Sequence, residues 1–198
     1  MGERKIVVAP ISEETREKAD TLAYPELSKK KVCVASGSSE VGRYITSFLC
    51  NSGAAVTMLD PGVVAEGSVT CIRGDVGSSA DCSKAVAGQD LVICAAGGDS
   101  RPLLHAAAKA GVERYVHLSD AGVVFDGASD VKQGDEGLPL VEPDVAAAVE
   151  KAVLEADGRG MTTCAVRPAL LYGGGAKAIK DLVAGGTTTR QQNMLLWL

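Results

Sequence analysis

Apolar and polar positions fall in blocks along this chain of 198 residues. Short apolar runs alternate with longer stretches in which apolar residues recur at helical spacing. The first clear run is Val32, Cys33, Val34 and Ala35. It is continuous rather than alternating, as expected for a strand buried on both faces of a parallel sheet. Ser36, Gly37, Ser38 and Ser39 follow as a turn of small residues. Val41, Tyr44, Ile45, Phe48 and Leu49 then recur at helical spacing and are expected to face the sheet. Asn51, Ser52 and Gly53 stop that helix, and a second strand over residues 54–59 ends at Asp60. The same pattern predicts strands over residues 68–73, 91–96, 112–118 and 161–166. It predicts helices over 81–87, 101–110 and 144–156. Leu103, Leu104 and Ala107 form the inner face of one, and Val145, Val149 and Val153 one stripe of the last. Such alternation predicts an α/β fold with a doubly wound parallel sheet of about six or seven strands.

The opening strand, turn, helix and strand form the first unit of a Rossmann-type, dinucleotide-binding fold. The backbone N–H groups of Ser36, Gly37, Ser38, Ser39, Glu40, Val41 and Gly42 surround the helix N-terminus, where a pyrophosphate is held. In G-x-x-G-x-x-G register the key positions fall on Ser36, Ser39 and Gly42, with Gly37 one step out of phase. Serine adds a Cβ where the backbone comes close to phosphate, and its hydroxyl offers a donor in exchange. Asp60 stands eighteen positions after Gly42, close to the spacing at which an acid meets the ribose hydroxyls. A carboxylate there repels a 2′-phosphate, so NAD is favoured over NADP. Ala95, Ala96 and Gly97 end the fourth strand, where ligands sit in open α/β sheets.

Composition narrows the picture. A net charge of −5 and the lack of a basic stripe speak against nucleic acid. No run approaches the roughly 18 apolar residues of a membrane span. The six cysteines contain no C-x-x-C pair and only two histidines accompany them, so no metal site is expected. Cys33, Cys71, Cys94 and Cys164 lie in strand-like runs and read as buried thiols. They imply a reducing intracellular compartment, cytoplasm or organelle interior.

Three regions are expected. Residues 1–30 form an N-terminal extension, with an apolar strip over residues 5–9 and a helix starting at Ser12. Residues 31–175 form the nucleotide-binding domain. Residues 176–198 hold a short helix over 176–184 and end on the apolar strip Met194, Leu195, Leu196, Trp197 and Leu198. That strip and the N-terminal extension are the candidate surfaces for a protein partner.

Several blocks carry a resemblance. They are RGDV (73–76), DLVICAA (90–96), AGVERYVHLSDAGVVFDG (110–127), GDEGLPL (134–140) and AVEKAVLEADGRGMTTCAVRPALLYGGG (148–175). Together with the first unit they resemble the extended short-chain dehydrogenase/reductase superfamily. More narrowly, they resemble its 3β-hydroxysteroid dehydrogenase and sterol-4-carboxylate 3-dehydrogenase (decarboxylating) branch. The resemblance implies bound NAD, with Asp60 at the ribose and Asp75, followed by Val76, at the adenine. It also implies a serine, tyrosine and lysine for hydride transfer, the last two at i and i+4 on one helix. Aligned from Glu150 and Lys151, those slots hold Glu142 and Ala146. The serine slot holds Asp120, with Ser119 beside it. No alternative acid–base pair stands out: Tyr115, Tyr172, His105 and His117 fall on strands and a helix as structural residues.

In this superfamily much of the substrate lobe follows the RP-x-x-x-YG segment, and little chain remains after it here. The expectation is therefore a Rossmann domain whose substrate lobe is largely absent. It binds a dinucleotide but has lost hydride transfer, and it serves as a structural or nucleotide-sensing component. Two alternatives stand beside it: an active NAD-dependent 3β-hydroxysteroid or sterol dehydrogenase, and an accessory subunit of a larger membrane-associated complex.

Overall fold

A computed structural model of the chain describes residues 25–62, 69–124, 139–140 and 144–168. Among the described residues, six strands make one parallel sheet. They are β1 (Lys31–Ala35), β2 (Ala55–Leu59), β3 (Thr70–Ile72), β4 (Leu91–Cys94), β5 (Arg114–Leu118) and β6 (Thr162–Val166). Their order is β3-β2-β1-β4-β5-β6, that of two mononucleotide-binding halves meeting at β1 and β4. Helices α1 (Glu40–Asn51), α2 (Ser79–Val86), α3 (Arg101–Ala110) and α4 (Val145–Glu155) join them, and a short 3₁₀ turn (Ala121–Val124) follows β5. No helix among these residues is long and apolar enough to cross a membrane.

Side chains alternate across each strand, so central β1 serves two cores. Cys33 and Ala35 pack with Leu59, Cys82, Val92, Leu103, Tyr115 and Val153 on the face covered by α2, α3 and α4. Val32 and Val34 pack with Leu49 and Val56 under α1. The four β1 residues Val32, Cys33, Val34 and Ala35 are 0% exposed, so each buried valine contributes about 2 kcal/mol.

The elements lie where the pattern put them, with local differences. Helix α2 starts at Ser79 rather than 81, because the Ser78 side chain accepts the Asp81 N–H and caps it. Tyr44 and Phe48 do not face the sheet; they are 61% and 42% exposed. Gly42 must face the turn before α1, and that roll puts Ile45, Thr46 and Leu49 inward instead. Val145 is likewise exposed, being the first residue after the capping Asp144. Cys33 and Cys94 are buried as expected, whereas Cys71 is only partly buried and Cys164 is exposed. Among the described residues those two sit on the outer strands β3 and β6, which pack fewer neighbours. The expected elements at 5–9, 12–22 and 176–184, the strip 194–198 and Tyr172 lie outside the described residues.

Glu150 is 0% exposed. Its Oε1 accepts from Arg167 Nε at 2.8 Å and Nη2 at 2.5 Å, tying α4 to the residue just past β6. Such a pair is worth little against an apolar substitute, but breaking it strands a buried charge. Arg167→Met is therefore expected to lower unfolding free energy by about 3–5 kcal/mol. Glu150→Leu combined with Arg167→Met recovers most of that loss, as urea denaturation will show.

Candidate functional site

Adjacent strands β1 and β4 feed their chains to opposite sides, so a crevice opens beyond their C-terminal ends. The turn after β1 forms one wall. Ser36 takes a left-handed conformation, φ 61°, which costs a residue with a Cβ about 1 kcal/mol. The Ser36 carbonyl accepts from the Ser39 N–H at 3.1 Å and the Ser39 hydroxyl at 2.7 Å. The Ser39 hydroxyl also accepts from the Gly42 N–H at 3.0 Å. Ser39 is thus the N-cap of α1 and closes the turn upon itself.

Two glycines of the turn have steric tasks. A Cβ on Gly42 would lie 2.1 Å from the Ser36 carbonyl oxygen, so the helix can approach the turn only there without a side chain. A Cβ on Gly37 would meet Met58 Cγ at 2.7 Å; that glycine packs against β2. The N–H groups of Glu40 and Val41, first in α1, find no acceptor among the described residues. They point out of the helix end together with its positive dipole.

Asp60, at the end of β2, is only 5% exposed. Its Oδ2 accepts from the Ser38 N–H at 3.3 Å and its Oδ1 from the Gly62 N–H at 2.8 Å. Burial alone pushes its pKa up. The Ser38 hydroxyl and the N–H groups of Gly62 and Ser38 outweigh that and hold the carboxyl below its ordinary value. Sequence reasoning found Asp60 but missed both donors; the Pro61-Gly62 pair was legible only as a turn. Asp75 lies beyond β3, exposed, with Oδ1 accepting from the Gly77 N–H at 2.7 Å. Val76 is partly buried against the α2 core.

The opposite wall comes from β4 and β5. Ala95 donates its N–H to the Ala35 carbonyl at 3.0 Å, linking the two strand ends. Ala96 is buried, and around Gly97 and Gly98 a Cβ would meet nothing within 4 Å. The floor there is open. Past β5, Ser119 donates its N–H to the Val166 carbonyl at 2.8 Å. Asp120 accepts from the Gly122 N–H at 2.6 Å, capping the 3₁₀ turn. Ala146 is the second residue of α4, its N–H given to Asp144 Oδ1 at 2.7 Å. Glu142 lies outside the described residues, and α4 begins only at Val145.

The structure thus brings together the turn Ser36–Ser39, the start of α1, Asp60 and the Ala95–Gly97 floor, with Asp120 farther along the same edge. Buried thiols are chemically quiet. Desolvation pushes Cys33 up to about 12 and Cys82 up to about 11, so both stay protonated at neutral pH. An open helix end, an ionised acid at the end of β2 and a glycine floor at the switch point fit a dinucleotide.

Residues 36–193 match a family model described as NAD(P)H-binding. The chain belongs to that family. Among characterised relatives, it is 29% identical over 193 residues to a 3-beta-hydroxysteroid dehydrogenase of Mycolicibacterium neoaurum, covering 78% of this chain and 52% of that protein. It is 29% identical over 163 residues to a 3beta-hydroxysteroid-dehydrogenase/decarboxylase isoform of Arabidopsis thaliana, covering 66% of this chain and 29% of the relative. Among solved structures, MoeE5 in complex with UDP-glucose and NAD superposes with a TM-score of 0.64 at 24% identity, over 78% of this chain and 62% of that one. The UDP-glucose 4-epimerase of Thermus thermophilus, solved in complex with NAD, gives 0.59 at 19%, over 69% and 54%. These structural likenesses carry the fold alone. The family member is an extended short-chain dehydrogenase/reductase of the 3β-hydroxysteroid dehydrogenase branch. It spans about half the length of the first curated relatives it matches.

Asp60 contributes stability that is present above its unfolded-state value near 3.9 and is lost as pH falls through its lower folded-state value. Asp60→Asn removes that acid limb. Its expected cost is about 1–2 kcal/mol at pH 7, vanishing toward pH 2, measured by thermal unfolding across pH. In the same assay, Gly42→Ala is expected to lose at least about 2 kcal/mol, whereas Gly97→Ala stays within about 0.5 kcal/mol.

Proposed function

We propose that this family member binds NAD but lacks the hydride-transfer pair of its relatives, and acts as a structural or nucleotide-sensing component of a larger assembly. The carrying observation is Ala146, seated in the first turn of α4 at the slot where the resemblance places a lysine. A methyl group supplies no ammonium to lower a phenol's pKa or to hold a ribose. At the serine slot, Asp120 brings a carboxylate already accepting from Gly122. An ionised carboxylate accepts hydrogen bonds and donates none, so it does not replace a hydroxyl that steadies a carbonyl oxygen.

In this reading the Glu40 and Val41 N–H groups hold the pyrophosphate. Asp60 takes the ribose hydroxyls, Asp75 and Val76 lie at the adenine, and Ala95, Ala96 and Gly97 floor the far half. Bound NAD supplies a hydride acceptor. The chain's own residues orient it and reject a 2′-phosphate through the Asp60 charge, which supports NAD over NADP.

A second reading is a working NAD-dependent 3β-hydroxysteroid or sterol dehydrogenase, its pocket completed by further chain or by a partner. The names of the curated relatives and the half-length match support it.

Calorimetric titration separates them. The first reading expects NADH to bind with a dissociation constant of about 10–100 μM, weakened about tenfold or more by Asp60→Ala. NADPH binds more weakly than NADH, and no NADH forms from NAD and a 3β-hydroxysteroid. Steady NADH production that disappears in Asp60→Ala establishes the second reading.

A further inference from the structure

Resting on the nucleotide site just proposed, we infer that Arg73, the residue after β3, is a positioning residue for the ribose acid: it fixes the peptide unit that aims Asp60 into the crevice. The carbonyl of Pro61 and the N–H of Gly62 belong to one planar peptide. Both ends of that plane are held. Gly62 donates its N–H to Asp60 Oδ1 at 2.8 Å, and the Pro61 carbonyl accepts from Arg73 Nε at 3.0 Å. In a trans peptide the two groups point in opposite directions, so carboxylate and guanidinium grip the plane from opposite sides. A carbonyl polarised by a cation also makes its own N–H the stronger donor.

The plane needs such a grip. A Pro-Gly pair favours the type II turn, whose glycine takes a positive φ. Gly62 does not take one. Turns of types I and II differ chiefly by a flip of the central peptide, and a flip here would aim a carbonyl at Asp60 in place of an N–H. The backbone of Asp60 is fixed separately by the sheet. Its N–H goes to the Ile72 carbonyl at 3.2 Å, and its carbonyl accepts from the Gly74 N–H at 3.4 Å. Those two residues flank Arg73, so β3 holds the acid's backbone while Arg73 reaches the turn beyond it. On the side chain, Oδ2 has the longer bond, 3.3 Å from the Ser38 N–H, and the Gly62 N–H therefore sets most of the carboxylate's rotation. A ribose diol then meets an acid aligned beforehand, which lowers the cost of binding. Arg73 itself is exposed, so a change there is expected to cost the fold little.

The test measures NADH binding by calorimetry for the full chain and two variants of matched side-chain length. In Arg73→Gln the amide nitrogen stands as many bonds from Cα as Arg73 Nε, so the donor stays and the charge goes. Arg73→Met keeps the length and removes both. Arg73→Met is expected to bind NADH about three- to tenfold more weakly than the parent, the worth of about one hydrogen bond. Arg73→Gln stays within about twofold. In an Asp60→Ala background, Arg73→Met changes binding by less than about twofold, because the residue acts through that acid. Without nucleotide, the Asp60 carboxyl carbon, followed by NMR, titrates at higher pH in Arg73→Met than in Arg73→Gln, since its ionised form has lost a steady donor. Equal NADH binding by the parent and folded Arg73→Met overturns the inference and leaves the nucleotide site standing. So does a loss in Arg73→Gln as large as in Arg73→Met, which marks an effect of charge, or a loss that persists without Asp60, which marks a direct contact. Failure of the parent itself to bind NADH overturns both.

Discussion

The close approach of α1 to the end of β1 is the constraint on which the crevice depends. Two backbone segments touch where Gly42 meets the Ser36 carbonyl, and there is no room for a methyl group between them. That contact sets the roll of α1. The roll decides which residues pack on the sheet, which N–H groups face the crevice, and why Tyr44 and Phe48 turn outward. The Ser39 hydroxyl then locks the turn by bonding at once to the Ser36 carbonyl and the Gly42 N–H. A left-handed Ser36 is the strain this arrangement carries. The surrounding bonds over-determine it, as expected for backbone strain stored at a ligand site.

Charge is handled differently in the two halves of the sheet. On the β2 side, Asp60 is surrounded by donors and kept anionic, ready to accept hydrogen bonds. On the β6 side, Glu150 is fully buried but neutralised by Arg167, so the pair serves the fold. His117 lies buried near them, and burial lowers its pKa although the Glu150 charge opposes this. It stays neutral at physiological pH, which fits a structural residue more than a proton carrier.

In the proposed reading, family membership and chemistry part company along this edge. In that reading the features that would hold a dinucleotide come from backbone geometry and one acid at a strand end. Hydride transfer requires in addition a phenol and an ammonium aimed at one point. At the lysine slot the chain offers Ala146, in a helix whose capping Asp144 falls between positions 142 and 146. An i and i+4 pair facing one cleft needs both positions on the same helix. The described part of α4 supplies only the second.

Much of this was legible from the residues alone. Continuous apolar runs identified the buried parallel strands, because a strand covered on both faces has no solvent side to mark with polar residues. Strand–helix alternation gave the doubly wound topology, and the interval from Gly42 to Asp60 gave the acid. What only the tertiary structure decided were contacts between segments distant in sequence. Sequence register placed Ser36 and Ser39 in the phosphate turn; that Ser39 caps α1 and Ser36 takes a left-handed backbone emerged only from the folded chain. Asp60 looked like an unencumbered ribose ligand, yet Ser38 and Gly62 already hold it. The burial of Cys164 was misjudged because a strand's pattern does not reveal that it lies outermost among the described strands. Periodicity reports which face of an element is apolar. Which neighbour covers that face, and which donor reaches a given oxygen, depends on how the elements pack, and packing is a property of the folded chain.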